Sequence, residues 1–239
     1  MLNQFTRTEM LIGKYSIKKL SEAHVVVCGI GGVGSYVVEA LARAGVGELT
    51  LVDFDEVSLT NINRQLIALH STIGKPKVEV AGERILDINP NAKINIRKIR
   101  LNGEDNIVFD KNVSYIVDAI DSVDAKINLI VMATQNEIPI ISCMGTGNKL
   151  EPTKLEISDI SKTSVCPLAR VVRKKLRNNG ITKLKVLYSK EEPIKCDEEV
   201  MKECQLETSK SYVPGSISFV PSVAGLLIAS EVIKDLIRK

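Results

Sequence analysis

Short apolar segments alternate with longer amphipathic ones from residue 23 to residue 142, and this alternation is the strongest constraint on the fold. Residues 24–29 form a continuous apolar run, as expected of a strand that is covered on both faces. Residues 33–44 then place apolar side chains at helical spacing, and Gly45 and Gly47 can end that helix. Strands that alternate with helices form βαβ units. We therefore predict an α/β fold with a doubly wound, mostly parallel sheet.

The segments that follow extend this pattern and then change it. We predict further strands at 48–52, 93–98, 114–117 and 139–142, and helices at 76–88 and 123–137. After Cys143 the pattern is less regular. There we predict strands at 154–157 and 184–188, a helix at 167–177, and a terminal helix that ends near residue 239.

Composition excludes several classes of protein. Aromatic residues are 4% of the chain and tryptophan is absent, which argues against a stacking platform for single-stranded nucleic acid. The five cysteines are scattered and include no CxxC pair, so we expect neither a disulfide framework nor a zinc site. We find no signal-peptide pattern, and no apolar run reaches the ~18 residues that a membrane span needs. We expect a cytoplasmic protein without a membrane anchor.

A glycine-rich sequence joins the first predicted strand to the first predicted helix. Gly29, Gly31 and Gly34 have the spacing of a dinucleotide-binding loop, and Gly32 adds a fourth glycine. Such glycines let the backbone approach phosphate groups, which the N-terminus of the helix attracts. Asp53 follows the second strand, 19 residues after Gly34, where a carboxylate accepts a hydrogen bond from a ribose hydroxyl. The loop and Asp53 together predict a nucleotide site in a Rossmann-like fold.

The segment 53–65 favours ATP over NAD as the nucleotide. It places Asn, Arg and Gln directly beyond the ribose position, and Lys77 follows near the start of the next helix. Arg64 and Lys77 suit the phosphates of a triphosphate, although each alone is equally compatible with an ordinary surface cation. No histidine lies in this group, so hydride transfer lacks an obvious acid or base. The other nucleotide-binding candidates in this segment are Asp55, Asn61 and Gln65.

Two carboxylates stand at the end of the strand predicted at 114–117. Asp118 and Asp121 lie at the sheet edge where open α/β folds bind their ligands. A carboxylate there can hold Mg²⁺ and bridge it to phosphates. Alternatively, Asp121 can cap the helix that follows.

The order and spacing of four motifs resemble the adenylating enzymes of the ubiquitin-activating, ThiF/MoeB superfamily. These motifs are GIGGVG at 29–34, DFDEVSLTNINRQ at 53–65, GKPK at 74–77 and DAIDS at 118–122. The resemblance implies an ATP-binding, adenylate-forming domain over residues 1–150, with an N-terminal arm, and a C-terminal extension of that domain over residues 151–239. The implied roles are ribose binding for Asp53, phosphate binding for Arg64, Gln65 and Lys77, Mg²⁺ binding for Asp121, and contact with the ATP of the dimer partner for Arg7.

Within that superfamily the chain is most similar to the tRNA threonylcarbamoyladenosine dehydratases, over nearly its whole length and including residues 143–177. The similarity implies a ligase-like, ATP-dependent cyclisation of N6-threonylcarbamoyladenosine at position 37 of tRNA, in which adenylation activates the substrate carboxylate. The catalytic residues that it implies are Arg7, Arg64, Lys77 and Asp121. It implies ATP and Mg²⁺ as cofactors and no zinc, with tRNA as substrate and a homodimer as the assembly; the need for a sulfur-transfer partner protein is left open.

Charge is distributed unevenly after residue 143. Residues 162–190 contain nine basic residues and no acidic one, whereas residues 191–207 contain seven acidic residues and two basic ones. One interpretation is a solvated helix face beside a solvated acidic loop. The other is a face that docks the phosphates of tRNA. The candidates for that face are Arg170, Arg173, Lys174, Lys175 and Arg177.

Three other functions are weighed against the dehydratase. Adenylation of the C-terminus of a ubiquitin-like sulfur-carrier protein is disfavoured by the missing zinc cysteines. An NAD-dependent oxidoreductase does not account for the NINRQ and DAIDS sequences, and a non-catalytic nucleotide-binding protein does not need Arg64, Lys77 and Asp121 together. Cys166, before Pro167 at a predicted helix start, is the best candidate for a reactive thiol. A buried packing residue is the favoured interpretation of Cys166.

Overall fold

A single sheet organises the chain, of which the computed structural model describes residues 2–101, 112–208 and 213–238. Its strands within these residues are β1 (His24–Cys28), β2 (Glu48–Val52), β3 (Lys93–Arg97), β4 (Tyr115–Asp118), β5 (Ile140–Cys143), β6 (Leu155–Asp159) and β7 (Lys185–Ser189). The spatial order is β3-β2-β1-β4-β5-β7-β6. Every pair of neighbours is parallel except β6 and β7, which are antiparallel at one edge. The predicted doubly wound, mostly parallel sheet is confirmed.

The helices of the described residues are α1 (Thr6–Glu22), α2 (Gly34–Ala44), α3 (Lys77–Ile88), α4 (Val123–Gln135), α5 (Pro167–Asn178), α6 (Glu198–Thr208) and α7 (Phe219–Arg238). The predicted helices correspond to α2, α3, α4, α5 and α7, and those predicted with both ends differ by at most two residues at either end. The predicted strands likewise differ from the observed ones by two residues or fewer. Across these helices, none combines the length and apolar character that a bilayer crossing requires.

Two helices were not predicted from the sequence. Helix α1 is kinked at Gly13, where φ is +79°, and its apolar Met10 and Leu11 are 81% and 87% exposed. Because Met10 and Leu11 are exposed, they do not mark the buried apolar face from which a helix is usually predicted. Helix α6 overlaps the acidic segment 191–207, for which one interpretation was a solvated loop, and that interpretation is wrong from residue 198 onwards. Glu198 and Glu199 occupy its first turn, where negative charge stabilises the helix N-terminus.

Helix α7 packs against α2 in the largest buried cluster of the described residues. Ile228 and Val232 of α7 are fully buried in that cluster, beside residues of β1, β2 and α2. The two helices approach closely because a Cβ at Gly225 would lie 2.5 Å from the Val33 carbonyl oxygen and 2.8 Å from Tyr36 Cβ. Strand β7 pairs with β5 in the same sheet. Residues after 150 therefore share both the sheet and the core with the residues before it.

Candidate nucleotide-binding site

The glycine loop runs from the carboxyl end of β1 into the start of α2. Gly29 has φ +89°, and a Cβ there would lie 2.6 Å from the Ala119 carbonyl oxygen. A Cβ at Gly34 would lie 1.7 Å from the Gly29 carbonyl oxygen, so the turn requires glycine at that position. Gly31 has open space instead, since its nearest neighbour would be Gln65 Nε2 at 3.8 Å. The loop thus packs against the segment after β4, and Gly31 faces Gln65.

Asp53 lies directly after β2 and is 9% exposed. Its Oδ2 accepts a hydrogen bond from the Ile30 backbone N–H at 2.6 Å, and its Oδ1 accepts one from the Asp55 N–H at 2.9 Å. These bonds hold the carboxylate beside the glycine loop. An ionised carboxylate offers about four acceptor positions, so two remain for a ribose diol.

Arg64 and Gln65 face the glycine loop from the segment after β2. Arg64 Nη1 donates to the Thr60 carbonyl oxygen at 2.8 Å and to Asn63 Oδ1 at 2.9 Å. Among the described residues no ion pair joins Arg64 to a carboxylate, and burial lowers the pKa of its guanidinium below the ordinary value. Gln65 is 6% exposed, and its Oε1 has no hydrogen-bond partner within the same part of the chain. A half-buried cation without a counter-ion beside a glycine loop suits a phosphate-bearing ligand, whereas the Gln65 oxygen can accept only from a donor group.

Lys77 begins α3 and is buried. Its Nζ donates to Asp55 Oδ2 at 2.9 Å, and its backbone N–H donates to the Asp55 carbonyl oxygen. Asp55 is therefore the counter-ion of Lys77, which keeps two further N–H donors for a ligand. Asn61 is also engaged within the chain, because its Oδ1 accepts from the Ser58 N–H at 3.2 Å. Asp55 and Asn61 stabilise the segment that carries Arg64, and their contact with nucleotide stays a prediction.

The two carboxylates after β4 have opposite surroundings. Asp118 is fully buried, with Oδ2 accepting from Lys126 Nζ at 2.7 Å and Ser142 Oγ at 2.5 Å, and Oδ1 accepting from the Ile120 N–H. Asp121 is exposed and has no hydrogen bond or ion pair to any other described residue. Only Asp121 is thus available to a metal. It does not cap α4 either, because the N-cap residue is Ser122, so the capping alternative is wrong.

The donor set at this edge fits Mg²⁺ held jointly by protein and ligand. The carboxylate of Asp121 is the kind of oxygen ligand that Mg²⁺ prefers. Within the described residues, no group of three or more His, Cys, Asp or Glu side chains can hold a metal by itself. A Mg²⁺ ion at Asp121 would therefore need its other ligands from phosphates and water, which is its usual mode in phosphoryl-transfer sites.

Arg7 lies apart from these residues. It is exposed on α1, two residues after Phe5, whose ring would be 3.4 Å from a Cβ at Gly45. Gly45 caps the C-terminal end of α2, whereas the glycine loop opens its N-terminal end. Eleven helical residues span about 16 Å. Arg7 therefore belongs to the opposite end of α2 from the nucleotide site of its own chain.

Residues 5–239, nearly the whole chain, match the ThiF family. The chain belongs to that family. It is 46% identical over 244 aligned residues to the tRNA threonylcarbamoyladenosine dehydratase of Bacillus subtilis (strain 168), covering 100% of this chain and 96% of that relative. The enzyme of the same name from Escherichia coli (strain K12) is 40% identical over 75% of this chain and 68% of its own.

Solved structures of a ThiF-like dehydratase share the fold. The E. coli tRNA N6-threonylcarbamoyladenosine dehydratase, TcdA, in complex with AMP has a TM-score of 0.87 at 32% identity, covering 98% of this chain and 94% of that chain. Its complex with ATP has a TM-score of 0.85 at the same identity and coverage. The molybdopterin-synthase adenylyltransferase of Salmonella typhimurium is 37% identical over only 52% of this chain and 49% of its own. The motif-based resemblance to the dehydratases is confirmed.

The cysteines of this ThiF-family chain are mostly buried. Cys166 is 3% exposed and packs in a cluster with Met144, Ala169 and Val172. Burial raises the pKa of the Cys143 thiol to about 12, which keeps it protonated at neutral pH. The packing interpretation of Cys166 accounts for these contacts, and the side chain of Cys204 lies outside the described residues.

The basic candidates on α5 divide into two groups. Arg173 donates to the carbonyl oxygens of Ile160 and Thr163, and Lys175 donates to Asp124 Oδ1 at 2.5 Å. These two cations therefore join α5 to its neighbours. The three others are exposed and have no ion pair among the described residues: Arg170, Lys174 and Arg177.

The spacing of glycines in this ThiF-family loop yields a prediction about Gly31. Gly31→Ala is expected to weaken ATP binding at least about tenfold, because the new methyl occupies the space through which the backbone approaches phosphate. Its stability should change by no more than about 0.5 kcal/mol, since the Cβ meets nothing closer than 3.8 Å. Calorimetric titration with ATP and thermal unfolding measure the two effects.

The matched control for that variant is Gly34→Ala in the same loop. Its Cβ would overlap the Gly29 carbonyl oxygen, so this variant should lose stability as well as ATP binding. Unchanged ATP affinity in Gly31→Ala would show that Gly31 is no part of the phosphate site.

Proposed function

We propose that this chain catalyses the ATP-dependent cyclisation of N6-threonylcarbamoyladenosine at position 37 of tRNA, with loss of water from the nucleoside. The observation that carries the proposal is the half-buried Arg64 without a carboxylate partner among the described residues, beside the glycine loop. That arrangement suits the phosphates of ATP. The 46% identity over the whole chain to a dehydratase supports the substrate.

The reaction needs activation of a carboxylate, which is a poor electrophile. The substrate carboxylate attacks the α-phosphorus of ATP, and pyrophosphate leaves. The carbamoyl group of the same nucleoside then attacks the carbonyl carbon of the acyl-adenylate, loses a proton and displaces AMP. The oxygen lost from the carboxylate ends in AMP, so the nucleoside becomes lighter by one water. Positioning and charge stabilisation are sufficient, and no covalent protein nucleophile is required.

The proposed roles follow from the contacts of each residue. Asp53 accepts hydrogen bonds from the ribose hydroxyls, while Arg64, Gln65 and Lys77 hold the phosphates and stabilise the charge that moves between them. Asp121 binds the Mg²⁺ that accompanies ATP, and the ion neutralises phosphate charge when it is bound. The glycine loop brings backbone N–H groups and the N-terminus of α2 to the same phosphates.

A homodimer accounts for the position of Arg7. Since Arg7 lies near the far end of α2 from the site of its own chain, we assign it to the ATP of a second copy. We place the reaction in the cytoplasm, where the tRNA substrate is found. A sulfur-transfer partner protein, whose need the sequence left open, is not part of this proposal.

Mass spectrometry of tRNA tests the proposed function. Purified protein is incubated with ATP, Mg²⁺ and tRNA that bears threonylcarbamoyladenosine, and the nucleoside is then expected to lose the mass of one water only when ATP is present. A carrier-protein adenylating enzyme gives a different result: no water loss, and ATP–pyrophosphate exchange only after a ubiquitin-like carrier protein is added. That second result would overturn the proposal.

We also expect the three exposed cations of α5 to contribute to tRNA binding. Replacing Arg170, Lys174 and Arg177 together with serine is expected to reduce the slope of log K against log salt for tRNA binding by about 2 to 3, because each of these side chains neutralises one phosphate. ATP binding in the absence of tRNA should not change. Filter binding or fluorescence anisotropy over a salt series measures the slope.

The control for the triple variant carries the same change in charge on helices other than α5. Lys18, Arg43 and Lys234 are exposed on α1, α2 and α7, and their replacement with serine should leave the slope for tRNA unchanged. Equal slopes for the two triple variants would exclude α5 as a docking face.

A further inference from the structure

Two opposite charges are completely buried beneath the proposed metal ligand. Lys126 of α4 and Asp118 at the end of β4 are both 0% exposed, and their charged atoms are 2.7 Å apart. Lys126 Nζ also donates to the Cys143 carbonyl oxygen at 3.0 Å and contacts Ser142 Oγ at 3.4 Å. Ser142 Oγ in turn donates to Asp118 Oδ2 at 2.5 Å. The network therefore joins the first turns of α4 to the carboxyl ends of β4 and β5.

A buried ion pair is not an efficient way to stabilise a fold. Removing two charges from water offsets much of the free energy that their attraction provides, and well-packed apolar residues at such positions are often as stable or more so. Stability alone therefore does not account for the pair between Asp118 and Lys126. The two residues lie on either side of Asp121 in the chain, which indicates a second role.

Asp118 and Lys126 enclose the loop that carries Asp121. The seven residues between them include Asp121, which has no hydrogen bond or ion pair of its own to the described residues. At one end of the loop, Asp118 Oδ1 accepts from the Ile120 N–H at 3.1 Å and sets the direction in which the chain leaves β4. At the other end, Lys126 ties α4 back to the same carboxylate. The loop is therefore closed at its base, and Asp121 lies on its exposed part.

The same loop touches the glycine loop. A Cβ at Gly29 would lie 2.6 Å from the Ala119 carbonyl oxygen and 3.2 Å from the Ile120 nitrogen. A shift of residues 119–121 therefore changes the distance between Asp121 and the phosphate-binding backbone. Both groups have to reach one Mg²⁺–ATP complex at the same time.

We infer that Asp118, Lys126 and Ser142 form a clamp whose role is to position Asp121 for the metal that ATP brings. The inference rests on the proposed function, because Mg²⁺–ATP is the ligand that the clamp serves. Asp118 and Lys126 are positioning residues, since neither touches the nucleotide. Groups that hydrogen-bond a metal ligand directly typically change metal affinity by about 10- to 100-fold when they are removed. The clamp acts on Asp121 through the backbone of residues 119–120, so we expect an effect near the lower end of that range.

Two variants separate positioning from stability. Lys126→Met removes one charge and leaves Asp118 buried and unpaired, so it should reduce both stability and Mg²⁺–ATP affinity. The double variant Asp118→Asn/Lys126→Met removes both charges and leaves no buried ion, so it should recover much of the stability. A clamp that positions Asp121 predicts that the double variant still binds Mg²⁺–ATP about tenfold or more weakly than the wild type, with ATP binding in EDTA changed less than about twofold.

Ser142→Ala is the mild variant for use if the others do not fold. It deletes one hydroxyl donor to Asp118 and keeps the charged pair. Ser142→Ala should weaken Mg²⁺–ATP binding as the double variant does, but by less. Lys185→Met is the matched control, because it breaks the ion pairs of Lys185 with Glu231 and Asp235 at the start of β7 and should leave Mg²⁺–ATP affinity unchanged.

The test combines calorimetric binding with hydrogen exchange of the protein without ligand. Amides of residues 119–125 should exchange at least about tenfold faster in the double variant than in the wild type, whereas β1 amides should not change. If the wild type does not bind Mg²⁺–ATP, the proposed function fails, and the exchange result still reports on the clamp. If the wild type binds and the double variant binds equally well with unchanged exchange, the clamp has no positioning role.

Discussion

Replacing Arg64 with alanine is expected to slow ATP-dependent water loss from the tRNA nucleoside by at least about 100-fold. Its guanidinium is half-buried, has no carboxylate partner among the described residues, and belongs to a side chain whose Cγ would lie 3.4 Å from a Cβ at Gly32. A cation in that setting attracts phosphate oxygens more strongly than a cation in water does, because fewer solvent dipoles screen it. Single-turnover rates with saturating tRNA, followed by nucleoside mass spectrometry, measure the loss.

The stability of Arg64→Ala without ligand should be slightly higher than that of the wild type or unchanged. The half-buried positive charge of Arg64 is not neutralised by any described residue, so its removal relieves a desolvation cost in the protein without ligand. The matched control is Arg43→Ala, an exposed arginine in the last turn of α2 that pairs with Glu39. Arg43→Ala should retain activity within about twofold. A loss of less than about threefold in Arg64→Ala would exclude Arg64 from the phosphate site.

Asp121→Asn is expected to reduce activity by about 100-fold at a fixed, near-physiological Mg²⁺ concentration. The substitution keeps one oxygen of the side chain but removes the charge that attracts the ion. Raising the Mg²⁺ concentration should therefore recover part of the lost rate. The melting temperature should be nearly unchanged, because Asp121 makes no hydrogen bond or ion pair with the described residues.

Asp124→Asn provides a control three residues further along. Asp124 is also exposed, and it pairs with Lys175. Its neutral variant should keep activity within about twofold, because an exposed ion pair contributes little. Rates over a Mg²⁺ series in the two variants make the comparison. Similar Mg²⁺ dependence in Asp121→Asn and the wild type would contradict the assignment of the metal ligand.

Strands β1 to β5 and helices α2 to α4 were predicted well because their signals are local. The apolar run of β1, the glycines that follow it and the acidic residue after β2 lie within 30 residues of one another. Each of these signals depends on the conformation of its own segment, and hydrophobic period and glycine spacing report that conformation directly. The positions of these strands and helices therefore agree with the structure to within two residues, whereas α1 was not predicted.

The clamp could not be predicted in the same way. In the sequence, Lys126 looks like an ordinary helix cation, and its burial depends on β4 and β5 being neighbours and on the direction of α4. The basic residues of α5 present the same difficulty. Arg173 and Arg170 have the same chemistry and lie on the same helix, and only the packing of Thr163 against α5 makes one of them an internal donor. Contacts between distant segments leave no spacing pattern to recognise.

The position of α7 has a consequence for how the protein is made. Its residues pack on Val33 and Tyr36 at the start of α2, yet they leave the ribosome about 190 residues after those two. Such distant contacts make folding slow, and they cannot form while the terminal segment is still in the exit tunnel. The growing chain therefore exposes apolar surface around its glycine loop until residues 219–238 have left the ribosome. The ability to bind ATP should therefore arise only when α7 packs on α2. Nascent chains that stop before residue 219 should depend on chaperones, because nucleotide cannot stabilise them.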